Sequence, residues 1–169
     1  MAVVNFDPRG KSFEFRLDQY TCYRCDSGEC SLDDMSIEEL QNSSNCVHII
    51  DESSIKYCRG MAKLFIDGEF TAPASIYLNR DCGHYSISDG QHRTCVVARI
   101  LKKGAAVTLK ANLIEQDCIC RDCLMREDFA KRESQLTWFD KIFNTRKCRN
   151  LRQDIKDYQE HEFLYAFDV

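Results

Sequence analysis

Tyr85-Ser86-Ile87-Ser88-Asp89-Gly90-Gln91-His92-Arg93-Thr94 is a strand, a break and a helix start in one run. Tyr85 and Ile87 alternate with Ser86 and Ser88, the period-2 pattern of a strand with one buried face, and Gly90 admits backbone geometry closed to other residues. From Gln91 the apolar run Cys95, Val96, Val97, Ala98, Ile100 and Leu101, followed by Lys102-Lys103-Gly104, predicts a helix buried on most faces. His92 and Arg93 fall in its first turn, where unpaired N–H groups and the positive end of the helix dipole already favour an anion. A guanidinium adds a bidentate clamp for oxygens, and an imidazole adds a donor that titrates near neutral pH. From Gln91 to Ile114 there are five cations and no carboxylate, in a chain of formal net charge -4, so the local field is positive. Phosphate is the expected guest. A purely structural assignment competes, with Asp89 capping the helix, Arg93 paired to a surface carboxylate and His92 in the core; four polar residues of different chemistry at one turn favour the functional one.

Outward from this turn, Val47-His48-Ile49-Ile50 reads as a buried strand and Ser53-Ser54 as the cap of a helix carrying Ile55, Tyr57, Cys58, Met61, Ala62, Leu64 and Phe65. Gly68 ends that helix, Thr71-Ala72-Pro73 leads into the strand Ile76-Tyr77-Leu78, and Val107, Leu109, Ala111 and Leu113 alternate as a further strand. The fold class is α+β, a small mixed sheet with packed helices over residues 46–114. Residues 1–45 add a β-hairpin turned at Asp7-Pro8-Arg9-Gly10, a cysteine knuckle and a short capped helix near Ser36. Residues 115–169 add a second knuckle, a helical segment and a terminal strand or docking segment at Phe163–Phe167, all in one compact unit. Arg146, Lys147, Arg149 and Arg152 gather at a helix junction, but residues 125–169 carry nine cations and nine carboxylates, which reads as a solvated face rather than a nucleic-acid stripe.

At 169 residues the chain is one domain's worth, with 44% hydrophobic and 30% charged residues, ordinary values for a globular protein. No apolar run approaches the roughly 20 residues that span a bilayer, and Met1–Asp7 lacks the features of a signal peptide. The expectation is a cytoplasmic protein without a membrane partner. Eleven cysteines in a reducing compartment point to metal ligands, reactive thiols or small buried residues rather than disulfides. Cys22 and Cys25 form one C-x-x-C knuckle, with Cys30 nearby; Cys120 and Cys123 form a second, with Cys118 spare. Two such pairs suit a four-thiolate zinc site that staples the N-terminal segment to the chain leaving the core, although some 95 residues separate them, far beyond the usual ribbon interval of about 15–20. Free thiols and an iron–sulfur cluster are the alternatives.

Asp89-Gly90-Gln91-His92-Arg93, preceded by a short strand and followed by an apolar helix, resembles the signature of the ParB/sulfiredoxin-like superfamily, closest to its DGQHR-domain branch, which includes regulators of DNA phosphorothioation. The resemblance covers roughly residues 46–114 and includes Ile49-Ile50-Asp51-Glu52 and Gly68-Glu69-Phe70-Thr71-Ala72-Pro73. It implies a nucleoside triphosphate, ATP or CTP with Mg²⁺, bound by Gly90, Gln91, His92, Arg93 and Thr94. Arg93 and the helix-start N–H groups would hold phosphate oxygens, and His92 would donate to the β/γ bridge or the γ-oxygens. Asp89 would orient His92 or hold the metal through water, and Gln91 would position an acceptor or a water. In serine kinases of the superfamily a glutamate in the region of Asp51 and Glu52 is the base, which makes Glu52 a catalytic candidate beside a plain helix-start role. Thr71 and Arg80 are weaker phosphate candidates. Gln91 stands where sulfiredoxins carry their cysteine nucleophile, so sulfinic-acid reduction is disfavoured, and no helix-turn-helix supports plasmid partition.

Three functions follow as expectations. The first is an NTPase or phosphotransferase linked to DNA modification, defence or a mobile element. The second is a non-catalytic, zinc-containing DNA-binding regulator, or an accessory to a DNA-modification protein, that uses the same turn for a DNA phosphate. The third is a ParB-like DNase.

Overall fold

A computed structural model describes residues 2–16, 22, 29–44 and 54–167. The expected strand at Val47–Ile50, the carboxylates Asp51 and Glu52, and Cys25 lie outside the described residues. Within them the chain is a mixed α+β protein. Its strands are β1 (Val3–Phe6), β2 (Ser12–Arg16), β3 (Ala74–Asn79), β4 (His84–Asp89), β5 (Leu109–Gln116) and β6 (Glu162–Ala166). Its described helices are α1 (Ile37–Gln41), α2 (Ser54–Ile66), α3 (Gln91–Lys102), α4 (Arg121–Ser134), α5 (Trp138–Ile142) and α6 (Arg146–His161).

The six strands form one sheet in the order β1-β5-β3-β4-β2-β6. β3 runs parallel to β5 and antiparallel to β4, and β2 runs parallel to β4 with Phe13 opposite Tyr85 and Glu14 opposite Ser86. β1 and β6 are antiparallel edge strands, on β5 and β2. The N-terminal strands therefore do not form the expected hairpin: β1 and β2 lie four strand spacings apart. The six Cα steps from Phe6 to Ser12 reach about 20 Å when extended, enough for four spacings of roughly 4.8 Å. Aromatic packing rewards the split, because Phe6 meets Phe13 at 6.1 Å and Tyr85 at 5.5 Å between ring centroids.

The alternation of each strand sorts the two faces of the sheet. One face carries Phe13, Phe15, Ala74, Ile76, Leu109 and Ala111, all buried, under α2 (Met61, Ala62, Phe65) and α3 (Val96, Val97, Ile100). The opposite face is polar, with Glu14, Asn79 and Ser86 linked across β2, β3 and β4. The C-terminal helices attach to that side. Cys120 caps α4, its Sγ accepting from Cys123 N, and α4 joins α6 through Phe129 against Tyr158 at 5.7 Å. Asp122, fully buried, accepts from Arg126 Nε at 2.5 Å.

Candidate functional site

β4 ends at Asp89 because Gly90 takes φ 94° and ψ 28°. Only glycine fits: a Cβ there would stand 2.8 Å from Ala74 Cβ and 3.0 Å from Arg93 Nε. With no side chain at Gly90, α3 starts without a side-chain cap. The first turn is closed from inside by Thr94, buried, whose N and Oγ1 both donate to Gly90 O at 2.9 and 3.0 Å. Thr94 is thus a backbone brace and not a surface for a ligand.

The next three side chains fan out. Gln91 turns to the polar face, where its Oε1 accepts from Arg16 N at 2.7 Å and fixes the end of β2. His92 turns to α2, with Nδ1 3.6 Å from Cys58 Sγ and its ring edge-on to Tyr57 at 5.3 Å. Arg93 reaches back to the segment before β3: Nη1 donates to Ala72 O at 3.1 Å and Pro73 O at 2.7 Å, Nη2 donates to Asp89 Oδ2, and the guanidinium lies 5.9 Å from the Phe70 ring centroid. Asp89 is therefore a partner of Arg93; the resemblance implied that it would orient His92 or hold a metal through water. Arg80 is remote from this turn, at the far end of β3, paired with Glu115 and Asp117.

Among the described residues three cavities meet at the turn. One of about 250 Å³ is walled by Ser88, Asp89, Gly90, Gln91, His92 and Arg93. On one side lies an apolar cavity of about 310 Å³, lined by Tyr57, Met61, Leu64 and Phe70 and sharing Asp89 and Arg93. On the other lies a polar cavity of about 480 Å³, lined by Glu14, Arg16, Tyr77 and Gln116 and sharing Ser88 and Gln91.

At the opposite end of β4, Cys82, His84, Cys120 and Cys123 place their ligand atoms within 4.8 Å of one another and could hold a metal ion such as zinc. His84 Nδ1 lies 3.6 Å from Cys120 Sγ and 3.3 Å from Cys123 Sγ. Those separations suit the edges of a tetrahedron with metal–sulfur bonds of about 2.3 Å. Backbone N–H groups already point at the sulfurs, Cys120 N to Cys82 Sγ at 3.2 Å and Cys123 N to Cys120 Sγ at 3.5 Å. Without a cation, burial pushes the Cys120 thiol up to about 12, so a metal must displace its proton.

The second knuckle thus joins a group that could hold a metal, but with the β3–β4 turn rather than the N-terminal segment it was expected to staple. Cys120 and Cys123 meet the β3–β4 turn, whereas Cys22 lies near Cys30, Cys58 and Cys95, close enough for their charges to interact. The cause is strand direction. β2 is parallel to β4, so the chain leaves β2 beside Ser88, and His84 is about 13 Å back along β4 at some 3.3 Å per residue. Cys22 is not one of the four grouped residues, and Cys25 lies outside the described residues. Cys82-Gly83-His84 was readable as a C-x-H pair on a turn, the one signal that pointed to the missing ligands. Glu14 carried no signal at all. Comparison with family models, with curated proteins and with solved structures finds no match to this chain.

Proposed function

We propose that the chain binds a nucleoside triphosphate with its phosphates at the start of α3, and that it hydrolyses the nucleotide or transfers its terminal phosphoryl group. The observation that carries this reading is the bare helix start: a 12-residue helix begins uncapped at Gly90 and opens into a cavity rimmed by His92 and Arg93. Backbone N–H groups there are preorganised for anionic oxygens. The apolar cavity lined by Tyr57, Met61, Leu64 and Phe70 suits a planar base. Asp89, with a side chain 68% exposed, stands at the rim, where it would hold a Mg²⁺ that offsets phosphate charge. Arg93 would exchange part of its pairing with Asp89 for a phosphate oxygen, while its bonds to Ala72 O and Pro73 O keep the base-side wall in place. This placement agrees with the resemblance of the turn to the ParB/sulfiredoxin-like superfamily and its DGQHR branch.

Calorimetric titration with ATP, CTP, GTP and UTP in the presence of Mg²⁺ tests it. Specific binding that is lost in Arg93→Ala, with metal content unchanged, supports the reading; no binding to any of the four refutes it.

A second reading, a nucleic-acid-binding accessory, draws on the C-terminal helices. Trp138, Phe139 and Phe143 are more than half exposed and adjoin Arg146, Lys147, Arg149 and Arg152 on α6. Aromatic faces beside cations suit stacked bases and phosphates. Salt-dependent binding of a single-stranded oligonucleotide, reduced in Trp138→Ala, is the result that reading requires.

A further inference from the structure

Glu14 is the outlier of the polar face. It is 5% exposed, and its Oε2 is fully used, accepting from Ser86 Oγ at 3.0 Å and from Arg121 N, at the start of α4, at 3.2 Å. Its Oε1 is buried and has no hydrogen-bond partner among the described residues. The nearest cation, Arg16 Nη2, stands 3.7 Å away, outside hydrogen-bond range. A buried carboxylate oxygen without a donor is costly, and folds retain such groups where a ligand completes them. Glu14 lines the 480 Å³ cavity, the largest at the turn.

The carboxylate is also held in place from behind. Gln116 Nε2 donates to Asn79 Oδ1 at 2.6 Å, Asn79 Nδ2 donates to Ser86 Oγ at 2.9 Å, and Ser86 donates on to Glu14. The chain of bonds runs across four strands and ends at the helix start fixed by Cys120. The same bonds fix the carboxylate in the wall of the cavity.

The lining decides the ligand. An anion would meet Glu14, which argues against DNA or a second phosphate group. A cation would meet Arg16 at the mouth, 56% exposed. Amides of Gln91 and Gln116, the Ser88 hydroxyl and the Tyr77 ring suit neutral hydroxyls and the C–H faces between them. The shared wall of Ser88 and Gln91 puts such a ligand next to the bare helix start.

We propose that this cavity binds a small neutral polyhydroxylated molecule, with one hydroxyl donating to the Glu14 carboxylate, and that this molecule accepts the phosphoryl group held at the turn. The assignment of the acceptor rests on the function proposed above; the binding site itself does not. In the transfer the hydroxyl oxygen forms a bond to the γ-phosphorus, the bond from that phosphorus to the β/γ bridging oxygen breaks, the nucleoside diphosphate leaves with that electron pair, and the hydroxyl proton passes to the Glu14 carboxylate.

Saturation-transfer NMR with glycerol, ribose, glucose and myo-inositol as probes tests the site on the metal-replete protein. At least one probe should bind, with affinity reduced tenfold or more in Glu14→Gln and in Tyr77→Trp, which fills the cavity without touching the carboxylate. Arg93→Ala should leave probe binding intact while abolishing triphosphate binding. Binding of none of the four probes, or equal binding to wild type and both variants, overturns the site. The proposed function fails separately, if polyol binding survives but no triphosphate binds. With both bound, ³¹P NMR should show a phosphomonoester of the probe in wild type and not in Glu14→Gln; free phosphate alone would overturn the acceptor assignment and leave a hydrolase.

Discussion

Replacing Gly90 by alanine tests the turn on which the site depends. Two separable penalties follow from its geometry. At φ 94° an L-residue pays about 1–2 kcal/mol for left-handed backbone. The new Cβ would also stand 2.8 Å from Ala74 Cβ, a clash between a helix start and a buried strand residue; overpacking of this kind costs about 1–3 kcal/mol. The sum is about 2–5 kcal/mol, and with a urea slope of roughly 2 kcal/mol/M the unfolding midpoint should fall by about 1–2.5 M. The Ala74→Gly background removes the clash and leaves the dihedral penalty. A double-mutant cycle by urea unfolding should therefore return a favourable coupling of about 1–3 kcal/mol between the two positions. A Gly90→Ala midpoint within about 0.3 M of wild type, or a coupling near zero, would refute the claim that φ and the Ala74 contact reserve this position for glycine.

The metal site should bind one zinc or cobalt ion, with a visible cobalt spectrum of three-sulfur, one-nitrogen type that is lost in Cys82→Ser, His84→Ala and Cys123→Ser and kept in Cys22→Ser. Because the Cys120 thiol lies at about 12 without the ion, binding releases protons, so the ion should come off as pH falls, read as zinc release to a chromogenic chelator; release that rises with pH would contradict the ligand set. Burial likewise pushes Cys58 up and Cys95 to about 12. A thiol raised above its unfolded value contributes stability below that value and loses it above, so stability from urea unfolding should decline between pH about 9 and 12, and iodoacetamide at pH 8 should label both residues at least 100-fold more slowly than a free cysteine. Phe13, fully buried among Phe6, Phe15, Tyr85 and Phe167, should cost about 3–5 kcal/mol when cut to alanine, read by the same urea transitions.

Local pattern carried the centre of the fold. The period-2 run from Tyr85, the glycine break and the apolar run from Cys95 are each satisfied within a few residues, and β4, Gly90 and α3 fall where they point. Pairing across long sequence separations was not legible. The hairpin expectation failed because Phe6 and Phe13 gain more from sharing the core with Tyr85 than from pairing their own strands, a preference that no local window contains. The metal ligands failed in part for the same reason: spacing reveals Cys120 and Cys123, but their partners are chosen by which end of β4 the β3–β4 turn occupies. Glu14 looked like an ordinary outward residue of an edge-like strand. It became a buried carboxylate only because β6 and α4 close over β2 from the other end of the chain.

β4 makes the two ends of the polar face depend on one another. His84, Ser86 and Ser88 all project to that face, each serving a different structure: a group that could hold a metal, the donor to Glu14, and the wall shared by two cavities. Side chains alternate with a period of two, so a one-residue slip of β4 would turn all three into the apolar core and bring Tyr85 and Ile87 out. The apolar face resists that slip, and an ion held by Cys82, Cys120 and Cys123 would resist it too, because it would accept His84 only in the present register. The same ion would hold Cys120, the cap of α4, whose next N–H is the one that holds Glu14 Oε2. Stripping the metal should therefore disturb the Glu14 carboxylate, which is bonded to Ser86 two residues along the strand from His84, before it disturbs Gly90 at the far end. Amide hydrogen exchange of the zinc-free protein reads that order directly: protection lost first at Arg121 and Cys123, and last in α3. Loss of protection in α3 at the same rate as in α4 would show that the cluster supports the whole fold rather than the register of its polar face.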